Sequence, residues 1–159
     1  MKKARVYSII LIPQLGQYIV TLEEIGGIRL IPIWIGPSEG MAISAKLNSQ
    51  VFQRPMTHDL ISDMLGKVKA KIKKVTITDV KDNTFYASMT LSFNKKIIEI
   101  DSRPSDAIAL AVRVNAAIFI DDAVFKKCPS IQKPITEQEI TDFKKHLENL
   151  KPEDFFKKV

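Results

Sequence analysis

Short apolar runs rich in β-branched residues recur along the chain, and turn residues bound each of them. In the first half these runs are RVYSIILI, YIVTLEE and IRLIPIWI, separated by PQLGQ and IGG. In the second half they are KKVTITDV, TFYASMTL and KKIIEID, separated by KDN and SFNKK. This composition and spacing predict two sets of three β-strands.

Helical patterns follow each set of strands. In the first half they predict helices from about Ser38 to Leu47 and from Thr57 to about Lys67. In the second half they predict helices near Ser105–Val114 and from about Thr136 to Leu150, with a short strand, AIFID, between them. The order βββαα and then βββαβα indicates an α+β protein, in which helices cover a mainly antiparallel sheet.

The two halves also resemble each other in sequence. Aligning IPIWIGPSEGMAISAKLNS with IEIDSRPSDAIALAVRVNA places Pro37 on Pro104, an offset of 67 residues. The same offset brings together further pairs: Ser38 with Ser105, Glu39 with Asp106, Lys46 with Arg113 and Asn48 with Asn115. We therefore predict one domain over 1–159, in which a duplicated β3α2 unit (pseudo-repeats of about 1–66 and 67–159) forms one sheet.

A proline, a serine and an acid open the first helix of each half. Serine and acidic side chains accept hydrogen bonds from the free N–H groups of a helix start, and proline fits the first turn. Because both halves share the pattern, we interpret Pro37, Ser38, Pro104 and Ser105 as helix-start residues of the shared fold. The apolar run AIALAV that follows in the second half predicts a helix buried almost all round.

Composition and charge narrow the class of protein. The net charge is +6, from 24 Lys and Arg against 18 Asp and Glu, which favours an anionic partner such as nucleic acid, although a solvated surface also accounts for it. The run GKVKAKIKK could bind phosphate or protect an exposed strand from pairing. The lone Cys128 fits a reducing compartment, and no apolar run is long enough to span a bilayer. We predict a cytoplasmic protein without a membrane partner.

His58 is the better candidate acid or base of the two histidines. Helix capping accounts for its neighbours, because Thr57 can cap the predicted helix and Asp59 lies in its first turn. Helix capping does not account for a histidine between these two residues, whereas a role in proton transfer would account for it. A purely structural hydrogen bond is the alternative interpretation.

Several acids lie at or near predicted helix starts: Glu39, Asp59, Asp63, Asp101 and Asp106. If the two units pair about a pseudo-twofold axis, these starts could converge on one cleft. Two or three carboxylates would then bind Mg²⁺ or Mn²⁺, while Arg54 and Arg103 hold phosphate. Ordinary surface ion pairs are the alternative.

The chain lacks the sequence motifs of several other kinds of enzyme and binding site. The chain contains no GxxxxGK[ST], GxGxxG, HExxH or CxxC, and no organic cofactor is expected. Cys128 has no neighbouring base and is a weak candidate nucleophile. Trp34, within PIWIG, is interpreted as a core or interface residue and not as a base-stacking platform.

Three blocks in order, IPIWIGPSEGMAI, RPMTHDL and IDSRPSDAIALAVR, followed by PEDF, resemble the bifunctional nuclease domain family. The resemblance implies a duplicated α+β fold and the degradation of both RNA and DNA. Gly40 stands where alanine is more usual in the family, and Ala117 where proline is expected. Matching the family motifs singles out eight residues: Glu39, Arg54, Thr57, His58, Asp59, Arg103, Ser105 and Asp106.

Together these observations predict a metal-assisted phosphodiesterase acting on nucleic acid. Glu39, Asp59 and Asp106 would be metal ligands or a base, and His58 an acid or base. Arg54 and Arg103 would bind phosphate. The alternative is a non-enzymatic module that binds a small ligand, nucleic acid or a protein. Apolar edge strands are also compatible with a homodimer.

Overall fold

Eight strands and six helices make up the part of the chain that the computed structural model describes, residues 1–129 and 131–157. The strands are β1 Lys2–Ile12, β2 Gln17–Glu24, β3 Arg29–Ile35, β4 Lys71–Lys81, β5 Thr84–Phe93, β6 Lys96–Ser102, β7 Ala117–Ile120 and β8 Ile131–Gln132. The helices are α1 Pro37–Leu47, α2 Thr57–Lys67, α3 Pro104–Val114, α4 Asp122–Lys127, α5 Glu137–Asn149 and α6 Pro152–Phe156. No helix in these ranges is long and apolar enough to cross a membrane.

The strands form one sheet in the order β6-β5-β4-β7-β1-β2-β3-β8. Every neighbouring pair is antiparallel except β4 and β7, which are parallel. The predicted α+β class with a mainly antiparallel sheet is confirmed. Each half contributes three consecutive antiparallel strands followed by a helix that begins at proline, but the internal duplication itself stays a prediction.

Tight turns fix the register of the second three-stranded set. Asp82 and Asn83 between β4 and β5 have φ angles of 47° and 59°, and Asn94 and Lys95 between β5 and β6 have 47° and 62°. Two successive left-handed residues form the two-residue hairpin turn whose twist matches that of the strands, and Asn and Asp tolerate this conformation best. Both turns lie where the sequence predicted them.

Helices cover both faces of the sheet at its centre and neither face at one edge. Successive residues of a strand point to opposite faces, and four consecutive residues of β2, Ile19 to Leu22, are completely buried. The edge strand β6 has no fully buried residue. Helix α3 packs on β4, β5 and β7, and its residues 107–111 are buried as predicted.

The four predicted helices are present, with ends that differ from the predictions by no more than one residue. The sequence did not predict α4, β8 or α6. Each has six or fewer residues, too few to show a helical or alternating pattern. Asp121 caps α4 by accepting a hydrogen bond from the Ala123 N–H at 2.9 Å.

The predicted proline positions are confirmed, but the predicted serine and threonine caps are wrong. Pro37 and Pro104 are the first residues of α1 and α3. The capping positions therefore fall one residue earlier, on Gly36 and Arg103, and the capping position of α2 is Met56 in place of Thr57. Proline fixes the first helical position, so the serine after it is already inside the helix.

Gly40 and Gly66 provide a matched test of helix packing. A Cβ on Gly40 would lie 2.2 Å from the Tyr18 ring, whereas one on Gly66 would have nothing within 4 Å. We expect Gly40→Ala to lower the free energy of unfolding by about 1 kcal/mol or more, because overpacking costs about 1–3 kcal/mol and exceeds the gain in helix propensity. Gly66→Ala should raise it by up to about 1 kcal/mol. Urea unfolding of both variants would measure this, and a stabilised Gly40→Ala would contradict the packing described here.

Candidate functional site

Three carboxylates occupy the same position in three different helices. Glu39, Asp59 and Asp106 are each the third residue of α1, α2 and α3, respectively. The partial positive charge of a helix N-terminus stabilises an acid at this position. Asp59 also accepts a hydrogen bond from the Met56 N–H at 3.0 Å, which satisfies a free donor at the start of α2. A helix start is therefore a favourable position for each of these acids, whether or not it has a catalytic role.

Arg103 joins two of these carboxylates. Its Nε donates to Asp106 Oδ2 at 2.6 Å, and its Nη2 donates to Asp106 Oδ1 at 3.1 Å and to Glu39 Oε1 at 2.9 Å. The side chain of Arg103 is 66% exposed, whereas that of Glu39 is 18% exposed. One solvent-accessible guanidinium therefore connects the starts of α1 and α3.

His58 extends this group of charges to a third helix. It is the second residue of α2, is only 7% exposed, and its Nε2 lies 2.9 Å from Asp106 Oδ1. The contact spans 48 residues of sequence and connects α2 to α3. We call Glu39, His58, Arg103 and Asp106 the Arg103 network.

Within the Arg103 network, hydrogen bonds to the Asp106 carboxylate outweigh the effect of burial on its pKa. Desolvation by burial alone would raise the pKa of Asp106, but hydrogen bonds from Arg103 and His58 lower the pKa below its usual value. Hydrogen bonding to Asp106, and secondarily to Glu39, raises the pKa of Arg103. Asp106 is therefore an ionised acceptor near neutral pH and not a proton donor.

Asp59 belongs to a separate ion pair. The Nε of Arg113 donates to Asp59 Oδ1 at 2.6 Å, and its other nitrogens donate to the carbonyl oxygens of Ala109 at 2.9 Å and Ala42 at 3.2 Å. The Arg113 side chain is only 5% exposed. Asp59 thus neutralises a buried arginine that joins α1, α2 and α3.

A cavity of about 460 Å³ adjoins the Arg103 network. Its lining includes Glu39, Arg103 and Ser105, together with Gly36, where β3 passes into α1. A Cβ on Gly36 would lie 2.5 Å from Glu39 Oε2, so the carboxylate folds back over the helix start into space beside the glycine. The remaining lining is largely apolar and aromatic.

Other residues singled out by the sequence lie outside the network. Arg54 is exposed in the segment between α1 and α2, and Thr57 is exposed at the start of α2. Asp63 and Asp101 are exposed on α2 and β6. The structure thus brings together Glu39, His58, Arg103 and Asp106, but not Arg54 or Asp59.

The arrangement of the acids does not fit a bound metal ion as it stands. In residues 1–129 and 131–157 there is no group of three or more His, Cys, Asp or Glu side chains placed to hold one. The Arg103 guanidinium lies between Glu39 and Asp106, in contact with both. The predicted role of Glu39, Asp59 and Asp106 as metal ligands stays a prediction.

Sequence reasoning gave no role to two features of this region. Arg113 was aligned with Lys46 but received no partner, because its acid lies 54 residues away. Phe85 and Phe156 line the cavity, yet their strand and helix are far apart in the chain. The PEDF block was the one available signal, since α6 begins at its proline.

Comparisons with known proteins give a family match and several relatives. A family model described as the bifunctional nuclease domain matches residues 20–133, which include the whole Arg103 network. An uncharacterized protein of Mycobacterium tuberculosis is 34% identical over 98% of this chain and 98% of its own length.

Plant relatives are more distant. Bifunctional nuclease 2 of Arabidopsis thaliana is 27% identical over 65% of this chain and 32% of its own length. Bifunctional nuclease 1 of Oryza sativa subsp. japonica is 26% identical over 65% of this chain and 32% of its own length. This similarity covers about two thirds of the present chain and about a third of each plant protein.

The Asp59–Arg113 pair predicts a specific pH dependence of stability. Burial alone would raise the pKa of Asp59, but hydrogen bonds from Arg113 and the Met56 N–H lower it below the ordinary 3.8. The unfolded chain therefore binds this proton more tightly than the folded one. The contribution of this ion pair to the free energy of unfolding is complete at pH values above the ordinary pKa of an aspartate. It is lost as the pH falls through the lowered pKa of Asp59 in the folded protein. At neutral pH, Asp59→Asn should cost about 1–2 kcal/mol.

Urea unfolding from about pH 6 to about pH 3 measures this effect. Wild type should lose more stability than Asp59→Asn as the pH falls. Asp63→Asn, on the exposed part of the same helix, is the matched control and should differ from wild type by less than about 0.5 kcal/mol. Parallel pH profiles for wild type and Asp59→Asn would show that the ion pair does not contribute.

Proposed function

Because the chain belongs to the bifunctional nuclease domain family, we propose that it is a nuclease that hydrolyses phosphodiester bonds of RNA and DNA beside the Arg103 network. The observation that carries the proposal is the position of Arg103 and Glu39. An exposed guanidinium and a less exposed carboxylate lie 2.9 Å apart on the lining of one cavity. A cation for phosphate and a base for water are the minimum that hydrolysis requires.

Arg103 is suited to bind a phosphodiester by exchanging partners. Asp106 holds Nε and one side of Nη2, which fixes the orientation of the guanidinium. The contact of Glu39 with the guanidinium is at Nη2. A phosphate oxygen can therefore replace Glu39 on Nη2 while Asp106 stays in place, and phosphate matches guanidinium geometry well.

Replacement of Glu39 by a phosphate oxygen on Arg103 would also free the Glu39 carboxylate to act as a base. Once Glu39 leaves Nη2, its carboxylate can accept a proton from a water molecule as the water oxygen attacks phosphorus. The leaving oxygen must then gain a proton, and histidine is the side chain best suited to proton exchange near neutral pH. His58 could supply that proton or could instead fix Asp106. Attack by water requires no 2′-hydroxyl, so this chemistry applies to both RNA and DNA.

The requirement for Mg²⁺ or Mn²⁺ is a separate part of the proposal. Carboxylates that release Arg103 could take up a divalent ion, which would supply Lewis-acid chemistry. Since the donors as arranged do not fit an ion, the roles assigned to Arg103 and Glu39 do not depend on one.

The alternative function is a binding module without catalysis. It is favoured by the pairing of each of the three helix-start acids with an arginine. Such pairs can stabilise a fold without any chemistry. In this case the cavity would bind a ligand that is not cleaved.

The thiol supports a location in the cytoplasm. Cys128 is the only cysteine, it is buried, and burial raises the pKa of its thiol to about 11. Such a thiol is a poor nucleophile and has no partner for an internal disulfide. Chains without disulfides are typical of reducing compartments.

A cleavage assay with variants tests the nuclease proposal. Labelled single-stranded RNA and DNA would be incubated with highly purified protein, with Mg²⁺, with Mn²⁺ and with a chelator. We expect Arg103→Gln, Glu39→Gln and His58→Ala each to lower the cleavage rate by about 10²-fold or more. His146→Ala is the matched control, because His146 is exposed on α5 and far from the network in sequence.

The variants also separate the roles of the acids. Asp59→Asn should lose stability but keep its cleavage rate at temperatures where it is folded, as judged by circular dichroism. Cleavage that persists in all network variants would indicate a contaminating nuclease or another site. Binding without cleavage in wild type would support the binding module, and full activity with chelator would remove the proposed metal.

We also propose that β6 pairs with β6 of a second copy. Ile98 and Ile100 lie opposite Leu91 and Met89 of β5, so the apolar face of the sheet continues to the edge, where they are 41% and 38% exposed. The strand begins with Lys96 and ends near Asp101. Antiparallel pairing would therefore place the basic end of one copy near the acidic end of the other, and an unpaired apolar edge is a favoured site for such pairing.

Sedimentation equilibrium over a range of protein concentrations tests this dimer. Ile98→Lys should raise the dissociation constant about tenfold or more, because it puts a charge at the centre of the joined sheet. Ile140→Lys, at an exposed isoleucine of α5, is the matched control and should leave it unchanged. A wild-type protein that is monomeric at all concentrations would exclude this assembly.

A further inference from the structure

Aromatic rings from three distant segments meet at the cavity. Trp34 of β3 lies 5.5 Å from Phe155, Phe155 lies 5.1 Å from Phe156, and Phe156 lies 5.8 Å from Phe85 of β5, measured between ring centroids. Trp34, Phe85 and Phe156 all line the cavity. We call these four residues the aromatic cluster.

Two rings of the aromatic cluster are not fully buried by the protein itself. Trp34 and Phe156 are only partly buried, although both are packed against the core. Large aromatic rings contribute most to stability when fully buried. Partly exposed rings along a concave surface are instead typical of sites that bind planar, apolar groups.

Other lining residues of the same cavity are polar or charged. Arg103 and Ser105 at the start of α3, and Gly36 and Glu39 at the start of α1, line it. Two helix N-termini and one exposed guanidinium therefore lie within one cavity of about 460 Å³. The site thus combines a place for an anion with a place for a planar ring, and its volume lies within the roughly 300–1,000 Å³ range of small-molecule sites.

We propose that the aromatic cluster binds the base of the nucleotide whose phosphate contacts Arg103. This inference rests on the proposed nuclease function and extends it, since it assigns the cavity to one nucleotide unit of the substrate. Phe156 and Trp34 provide ring faces or edges for the base, and Arg103 fixes the phosphate. Stacking on aromatic side chains is tolerant of base identity, because every base has a π-face. A site of this kind would accept nucleotides from both RNA and DNA.

Trp34 itself reports on binding, because it is the only tryptophan in the chain. Its fluorescence would be followed as the full-length protein is titrated with adenosine 5′-monophosphate, ribose 5-phosphate or inorganic phosphate. Isothermal titration calorimetry would measure the same affinities independently. We expect adenosine 5′-monophosphate to bind about 5- to 100-fold more tightly than ribose 5-phosphate, since only the former carries a base.

Variants at Phe156 locate the base. Phe156→Leu keeps an apolar side chain but removes the ring. It should weaken adenosine 5′-monophosphate binding about 5-fold or more while leaving ribose 5-phosphate binding unchanged. Phe156→Tyr keeps the ring and should retain wild-type affinity. Phe52→Leu, the same change at an exposed phenylalanine that does not line the cavity, is the matched control.

Two results would overturn the proposal. One is that wild type binds adenosine 5′-monophosphate no more tightly than ribose 5-phosphate, or binds neither. The other is an equal loss of both ligands in Phe156→Leu, which would make Phe156 a purely structural residue. The measurement needs no cleavage, so it stays distinct from the nuclease assay. Nucleotide binding without cleavage would support the base site and contradict the nuclease proposal. Cleavage without base binding would support the nuclease proposal and contradict the base site.

Discussion

The buried guanidinium of Arg113 is the interaction on which the arrangement of the candidate site depends. It belongs to α3, and it donates hydrogen bonds to the Asp59 carboxylate of α2 and to the Ala42 carbonyl of α1. A cation that is 5% exposed must keep its acceptors, because an unpaired buried charge is strongly destabilising. The three helices are thereby held at one relative position. That position also brings His58 and Glu39 to the start of α3, where the Arg103 network forms.

The two arginines of this region differ in what they can do. Arg113 is enclosed by acceptors and is needed to keep the helices together. Arg103 is 66% exposed, is bonded firmly to Asp106, and contacts Glu39 through one nitrogen. An exposed guanidinium can exchange one partner at little cost, since surface ion pairs contribute at most about 1 kcal/mol. The difference in exposure therefore separates a buried, structural ion pair from one whose guanidinium stays accessible to solvent, although both consist of an arginine and a helix-start acid.

The sequence predicted the sheet and its main helices well because their signals are local. Alternating β-branched residues, the turns at Asn83 and Asn94, and the prolines at 37 and 104 each specify a structure within a few residues. The candidate site was predicted only in part. Its acids were identified as helix-start residues, and His58 as the residue that capping does not explain. The division of those acids between Arg103 and Arg113 depends on contacts across 54 to 64 residues, and no local pattern encodes it. The aromatic cluster has the same origin, since Phe85 and Phe156 come together only after the sheet and α6 have formed.

Aligning the two halves of the sequence places two of the acids at matching positions, but it does not match the arginine between them. At an offset of 67 residues Glu39 corresponds to Asp106, but Gly36 corresponds to Arg103. Arg103 supplies the single cation at the start of α3, and it reaches both acids. Gly36, at the matching position of α1, has no side chain, and a Cβ there would lie 2.5 Å from Glu39 Oε2. A side chain at position 36 would therefore require the Glu39 carboxylate to shift. The glycine allows the acid of one half to share the arginine of the other, which leaves one guanidinium between two carboxylates at the cavity.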